Sequence, residues 1–485
     1  MIHFRRPLAS LVTAALLAGC NMTPDYHRPA TEVPAAFKEE PGWRPARPAD
    51  DVARGAWWRL FEDPVLDDLE HRVMVSNQNL TAALAAYEQA RGVVREQRAG
   101  LFPTVDLQAG ATSTGSFGTR DDPGTGEGGV SVGRRYAATI GATWEPDVWG
   151  RIRSGISQAG ANAEASRADL ASATLSAQGE LALNYLQIRA VDAQIALLDD
   201  TIAAYTRGLE ITTNRYNAGV AGKLDVVQAE TQLRNARAEA AEQRRQRAVL
   251  EHAIAVLVGE TPSSFSLEPV AWKPGIPDVP GVLPGDLLER RPDIAAAERR
   301  VAAANAAIGI ERAAFFPAFS LSGDVGFNSR QLAELFSKSA SVWSLGVQAA
   351  ETLIDWGARS ARVDQARAAW RQAAASYRQT VLTAFQQTED QLAAARILAE
   401  VGAERAAAET AARRAERITQ NQYLAGIVGY TDVIAAQATA FSAGQASITA
   451  TLNRQTAAVS LIQAIGGHWS DAPLPLPVPE GEGPR

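Results

Sequence analysis

The chain has 485 residues, a formal net charge of −7, and 46% hydrophobic residues of which few are aromatic. Much of the apolar content is alanine, which has little side chain to bury; this favours long, closely packed helices over a large globular core. The acidic balance argues against nucleic-acid binding, which needs a basic face, and a single cysteine excludes internal disulfides and cysteine-based metal sites.

Residues 1–19 read as a signal peptide. Arg5 and Arg6 form a basic start, and Leu8 to Ala18 form an apolar stretch too short to span a membrane. The stretch ends in Leu17-Ala18-Gly19-Cys20, the small-residue pattern of a bacterial lipobox. Cys20 is thus the candidate lipid anchor, carrying S-diacylglycerol and N-palmitoyl groups. Asn21 follows it, and a residue other than Asp there resembles lipoproteins sorted to the outer membrane. Removing Arg5 and Arg6 leaves 45 basic against 54 acidic residues, a net charge of −9.

After this segment the chain repeats itself. Tyr216-Asn217-Ala218-Gly219-Val220 recurs as Tyr423-Leu424-Ala425-Gly426-Ile427, Asp225-Val226 as Asp432-Val433, and Trp149-Gly150 as Trp356-Gly357, all 207 residues apart. Leu101-Phe102-Pro103 matches Phe315-Phe316-Pro317, 214 residues apart. Matches in one order at nearly one offset indicate duplication. Each half predicts the same elements in order. A first helix spans 65–100 or 292–315, and two alternating stretches follow. A very long helix comes next, 151–214 or 358–421, then a Gly-bearing turn and a return helix, 224–258 or 431–465. The long helices would each run about 96 Å. In the first, Leu170, Thr174, Ala177, Leu181, Asn184, Ile188, Val191, Ile195, Leu198, Ile202, Tyr205 and Leu209 keep steps of three and four, the spacing of coiled-coil packing.

The alternating stretches have period two. Val105, Leu107, Ala109 and Ala111 alternate with polar neighbours, as do Tyr136, Ala138, Ile140, Ala142 and Trp144. In the second half Phe319, Leu321, Val325 and Phe327, and then Trp343, Leu345, Val347 and Ala349, do the same. This suits either transmembrane barrel strands or soluble hairpins packed on one side. Four strands cannot close a membrane barrel, and lipid does not tolerate an open sheet edge. Membrane-spanning strands would therefore require oligomers: two copies give a filled eight-stranded barrel, and three give a pore.

Taken together, the lipobox, the Phe-Pro entry to the strands, the Trp-Gly start of the long helices and the duplicated Tyr-x-x-Gly…Asp turns resemble the TolC-like outer-membrane efflux factors. They are most similar to the lipidated (NodT/OprM-like) branch serving resistance-nodulation-division multidrug efflux pumps. The resemblance covers nearly the whole mature chain. It implies a mixed fold: a transmembrane β-barrel, four strands per protomer and twelve in a homotrimer, on a long periplasmic α-helical coiled-coil barrel. It also implies an equatorial domain built from Pro-rich segments. The implied organisation is a lipidated N-terminal segment and equatorial part over 20–64, a first repeat over 65–258, an inter-repeat equatorial segment over 259–291, a second repeat over 292–465 and a C-terminal tail over 466–485. The implied function is a passive exit duct in the outer membrane of a Gram-negative bacterium. Its partners would be a periplasmic adaptor (membrane fusion) protein, an inner-membrane pump and outer-membrane lipid, with no nucleic acid.

Within that frame the turns carry the candidate sites. Tyr216, Gly219 and Val220, with Tyr423, Gly426 and Ile427, are expected to contact the adaptor; alternatively the glycines only reverse the chain. Asp432 is the expected periplasmic gate, with Thr431 beside it and Asp225 as its first-half counterpart. The alternative role for both carboxylates is to stabilise a helix N-terminus. The sequence departs from the family pattern here: where a further carboxylate is common one turn later, it has Ala435-Ala436.

No enzyme, cofactor or metal site is expected. Gly124 to Gly129 satisfies GxGxxG and Gly129 to Gly133 satisfies GxSxG, but neither leads into a helix. His3, His27, His71, His252 and His468 form no ligand pair. Arg244, Arg245 and Arg247 read as a solvated face paired with Glu239 and Glu242. The rival functions are the outer-membrane factor of a type I secretion system, a periplasmic adaptor and a structural lipoprotein without a pore.

Overall fold

The computed structural model describes residues 21–34, 36–39, 56–116, 131–272, 274–277, 279 and 291–467. Cys20 and its signal, the Gly124–Gly129 string and nearly all of the C-terminal tail lie outside the described residues. The chain divides into two compact units. One comprises Met1–Pro29, Tyr87–Ser166 and Ala297–Tyr377, the other Ala30–Ala86, Arg167–Ala296 and Arg378–Arg485.

The helices are α1 (Pro64–Ser76), α2 (Gln78–Ala99), α3 (Arg151–Asn217), α4 (Lys223–Leu257), α5 (Pro292–Ala313), α6 (Ala358–Leu424) and α7 (Tyr430–Ala464). The strands are β1 (Thr104–Ser116), β2 (Ser131–Trp144), β3 (Ala318–Ser329) and β4 (Ser341–Ala350). The duplication is visible element by element: α3 and α6 each have 67 residues, and α4 and α7 each have 35.

The first unit holds the sheet, an antiparallel meander in the order β1-β2-β3-β4. Its registers place Leu107 opposite Ile140, Ile140 opposite Val325 and Val325 opposite Trp343. The apolar residues of all four strands thus fall on one face, because side chains alternate with period two and each register keeps that parity. Val105, Leu107, Ile140, Val325, Trp343, Leu345 and Val347 are all exposed on it. The opposite face carries Asp106, Gly141, Asp324 and Ser344 in one row. There the Ser344 hydroxyl donates to Asp324 Oδ2 at 3.0 Å. The N-terminal segment is tied down in this unit. The hydroxyls of Thr23 and Ser154 lie 2.7 Å apart, Asn305 donates to the Pro24 carbonyl, and Tyr26 donates to the buried Glu298.

The second unit holds the main core, with Trp57, Leu66, Leu69, Leu181, Tyr185 and Ile254 among its most buried side chains. Truncating such residues to alanine would cost about 2–5 kcal/mol each. The expected first helix is interrupted. Asn77 ends α1, and its Oδ1 caps α2 by accepting from the backbone N–H groups of Asn79 and Leu80. Its Nδ2 donates to the Leu257 carbonyl at 2.8 Å. One buried side chain therefore serves both a helix start and the end of α4, which a continuous helix does not allow. At the other end of α1, Asp63 caps the helix and accepts from the Tyr185 hydroxyl at 2.6 Å, with Pro64 at the first helical position.

The expectation for Arg247 is also corrected. Arg245 pairs with Glu242 in solvent as expected, but Arg247 is largely buried, donates to Asp192 at 2.7 Å and donates to the Leu267 carbonyl. Arg189 joins the same Asp192 and donates to the Glu268 carbonyl at 2.9 Å. Glu251 accepts from the backbone N–H of Leu267. This charged cluster fixes residues 267–268 of the inter-repeat segment onto α3 and α4. Glu239 turns instead to Gln445 of α7.

Candidate functional site: the helix reversals

Both long helices end in the same turn. In the first, Gly219 N–H donates to the Tyr216 carbonyl and Val220 N–H to the Arg215 carbonyl, each at 2.9 Å. In the second, Gly426 N–H donates to the Tyr423 carbonyl at 3.0 Å and Ile427 N–H to the Gln422 carbonyl at 2.9 Å. This pattern satisfies the last carbonyls of a helix and requires a left-handed residue. Gly219 and Gly426 supply it, each at φ 76°. A Cβ at either glycine would meet nothing within 4 Å, so the requirement is conformational and the surface above each turn is open.

The surroundings of the two turns differ. The first presents an exposed apolar patch of Tyr216, Val220, Leu224 and Val227. The second exposes Leu424 and Ile427 but buries Tyr423 and Tyr430 with Ala229 and Val433, against Leu209 and Ile211 of the first hairpin. The Arg215 guanidinium lies 4.8 Å from the Tyr423 ring centroid, and the Tyr423 and Tyr430 rings are 5.4 Å apart. Gly208 gives the Tyr430 hydroxyl room, since a Cβ there would stand 3.3 Å from it. Burial pushes the Tyr430 hydroxyl up to about 12, against the opposing hydrogen bond with Thr212. Tyr423, expected on the surface as a contact residue, instead holds the two hairpins together from inside.

Asp432 reaches back to the start of its helix: the Gly429 backbone N–H donates to its Oδ2 at 3.1 Å. It also stands in the first turn of α7, where the helix dipole favours a carboxylate. Its side chain is nevertheless exposed, as is Thr431, while Asp225 in the first turn of α4 is half-buried. The structure therefore brings Tyr216, Gly219, Val220 and Asp225 to one reversal, and Gly426, Ile427, Thr431 and Asp432 to the other. Sequence reasoning missed Arg215, Gly208 and Tyr430. The first two have no repeat copy, since Gln422 and Ala415 stand at the equivalent positions. Among the described residues no cluster of metal-ligand type occurs, and no helix is long and apolar enough to cross a membrane.

Four amphipathic strands joined to paired long helices with glycine reversals define a protomer of an outer-membrane channel of the TolC-like fold. Comparison with known proteins agrees. The family model described as outer membrane efflux protein matches residues 69–260 and 283–467. The toluene efflux pump outer membrane protein TtgC of Pseudomonas putida is 33% identical over 469 residues, 95% of each chain. The outer membrane protein OprJ of Pseudomonas aeruginosa is 29% identical over 473 residues, 96% of each chain. The open-state MtrE outer membrane channel of Neisseria gonorrhoeae superposes with a TM-score of 0.82 at 28% identity, covering 93% of this chain and 99% of that one. The chain belongs to the outer membrane efflux protein family. It is an efflux channel of the Gram-negative outer membrane that extends into the periplasm.

Proposed function

We propose that three copies of the chain form the exit duct of a tripartite efflux pump, passing small toxic organic molecules from the periplasm to the outside. The observation that carries this is the sheet. Four strands with one continuous apolar face end in two unpaired edges among the described residues, and lipid tolerates such strands only in a closed barrel. Three copies give twelve strands and leave a lumen. The cargo class rests on relatives named for toluene and antibiotic efflux.

The duct itself supplies no energy. An inner-membrane pump, of the resistance-nodulation-division type, drives transport through a periplasmic adaptor. The adaptor docks on the open surface above Gly219 and Gly426, with Tyr216, Val220 and Ile427 as side-chain contacts. Three copies of exposed Asp432, with Thr431 adjacent and Asp225 behind, narrow the closed tip and favour cations. Opening is iris-like, by movement of α6 and α7. Cys20 carries the lipid anchor. The chemistry throughout is binding and passage, with no covalent step.

The test is transport. Deleting the gene should raise accumulation of a lipophilic dye in whole cells, and the intact gene should restore efflux. Asp432→Ala should lower cation preference in single-channel recordings. Unchanged dye accumulation in the deletion strain, with no conductance from the purified protein, would sink the proposal.

A further inference from the structure

The duplication supplies a template for the two sheet edges left unpaired among the described residues. Two offsets relate the repeats: β1 maps onto β3 with a shift of 214 residues and β2 onto β4 with a shift of 207, the spacings of the Phe-Pro and Trp-Gly motifs. The hairpin registers obey them. Thr104 opposite Thr143 in the first hairpin becomes Ala318 opposite Ala350 in the second, which is the observed pair. The remaining pairing, β2 with β3, joins one repeat to the next within the chain. Its repeat equivalent is β4 with β1, and no single chain can make that pairing across an open four-stranded meander.

The join between repeats has a second component. Trp149, just before α3, stacks on Phe316 with 4.7 Å between ring centroids, and its Nε1 donates to the Pro317 carbonyl at 2.8 Å. Each participant has a repeat copy: Trp356 for Trp149, and Phe102-Pro103 for Phe316-Pro317. Yet Trp356 is 96% exposed, and Phe102 is exposed as well. Trp356 also sits at φ 54°, which Trp149 does not share. Asp355 holds it there by accepting from the backbone N–H groups of Gly357 and Arg359, each at 3.0 Å. A large aromatic side chain in open solvent at a left-handed backbone position is unfavourable on both counts.

We infer that β4 pairs with β1 of a second copy in one defined register, and that Trp356 latches onto Phe102 and Pro103 of that copy. The trimer belongs to the function proposed above; the register and the latch are new. Carrying the observed pairs Ile140–Val325 and Tyr136–Ser329 through the two offsets places Val347 opposite Ala111 and Trp343 opposite Gly115 of the neighbour. The apolar face checks this independently. Val347 and Ala349 meet Ala111 and Ala109, so apolar residues continue across the seam, whereas a slip by one residue would set them beside the polar face. In the latch the Trp356 indole would stack on Phe102 and donate to the Pro103 carbonyl.

Cysteine coupling tests the register. The double variant Ala111→Cys with Val347→Cys, oxidised in intact outer membranes, should give covalent dimers and trimers on a non-reducing gel. The slipped pairs Ala109→Cys with Val347→Cys and Ser113→Cys with Val347→Cys should give far less. Ile140→Cys with Val325→Cys, the equivalent pair within one chain, is the positive control, and each single variant controls for Cys20. A trimer by native mass whose thiols couple best in a slipped pair, or not at all while the control couples, would overturn the register alone. A monomer by native mass would overturn the duct reading with it.

For the latch, Trp356→Ala should lower the temperature at which the extracted oligomer dissociates, with helix content unchanged, and adding Phe102→Ala should lower it little further. An unchanged dissociation temperature would overturn the latch.

Discussion

Tyr216 and Tyr423 stand at the same point of the same turn, 207 residues apart, yet one is 42% exposed and the other 4%. The hydrogen bonds that reverse the two helices are the same, and so is the left-handed glycine that follows each tyrosine. What differs is the neighbour. Arg215 and Gly208 on the first long helix receive Tyr423 and Tyr430, while Gln422 and Ala415 occupy the equivalent places on the second. Duplication therefore conserves the local code of the turn while a few substitutions assign each copy its task. One reversal offers an apolar surface; the other is anchored internally and leaves a carboxylate exposed. Trp149 and Trp356 divide in the same way, one seated and one open.

The largest effect that would break this comparison is at the paired tyrosines. Tyr423→Ala should destabilise the protein by about 3–5 kcal/mol, the scale of a buried aromatic. Tyr216→Ala should fall within about 0.5 kcal/mol, as an exposed site does. Denaturant unfolding compares them, and equal losses would refute the internal role of Tyr423. Its buried hydroxyl has no hydrogen-bond partner among the described residues, so Tyr423→Phe should be close to neutral.

Glu70 extends the comparison to α1, a part of the first repeat that has no described counterpart in the second half. Its carboxylate is fully buried with no partner among the described residues, and burial, with Asp67 nearby, raises its pKa well above the usual range. A raised folded pKa means that stability is complete below the unfolded value near 4.3 and declines as pH rises through the folded one. Glu70→Gln should therefore stabilise the protein at pH 7 by about 1–3 kcal/mol. The gain should vanish near pH 4, and a gain of equal size at both pH values would contradict the buried-charge account.

Smaller effects are expected at the glycines. Gly219→Ala and Gly426→Ala should each cost about 1 kcal/mol, because a Cβ is penalised at positive φ and nothing else crowds either site. Near-equality of the two losses is the prediction; a large difference would show that the turns are not equivalent in energy. A separate check is the pH response of Tyr430. The neutral hydroxyl is favoured in the folded state, so its contribution is present below the unfolded value near 10 and is lost as pH rises towards about 12. Denaturant unfolding at pH 9 and pH 12 should show a smaller loss in Tyr430→Phe than in the native protein, whose other buried tyrosines, Tyr185 and Tyr205, keep their own share.

Much of the fold was legible because its elements announce themselves locally. Period two marked all four strands, and Gly219 and Gly426 marked the reversals to within a few residues. The unread features depend on contacts distant in sequence. Asn77 interrupts a helical pattern because Leu257 needs a donor, and nothing near residue 77 says so. Arg247 sits in a run that looks like a charged surface, and only residues 189, 192 and 267 reveal that it is buried. Of the site residues, the exposed set was readable from the repeat. Tyr423 was misplaced because exact repetition of a motif fixes backbone geometry, not which copy is covered.

A barrel closed by identical copies has a definite native mass. Protein extracted in mild detergent from outer membranes should run as a single species of three chains. A stable monomer, with no higher species after crosslinking in cells, would leave four strands with open edges and contradict the duct.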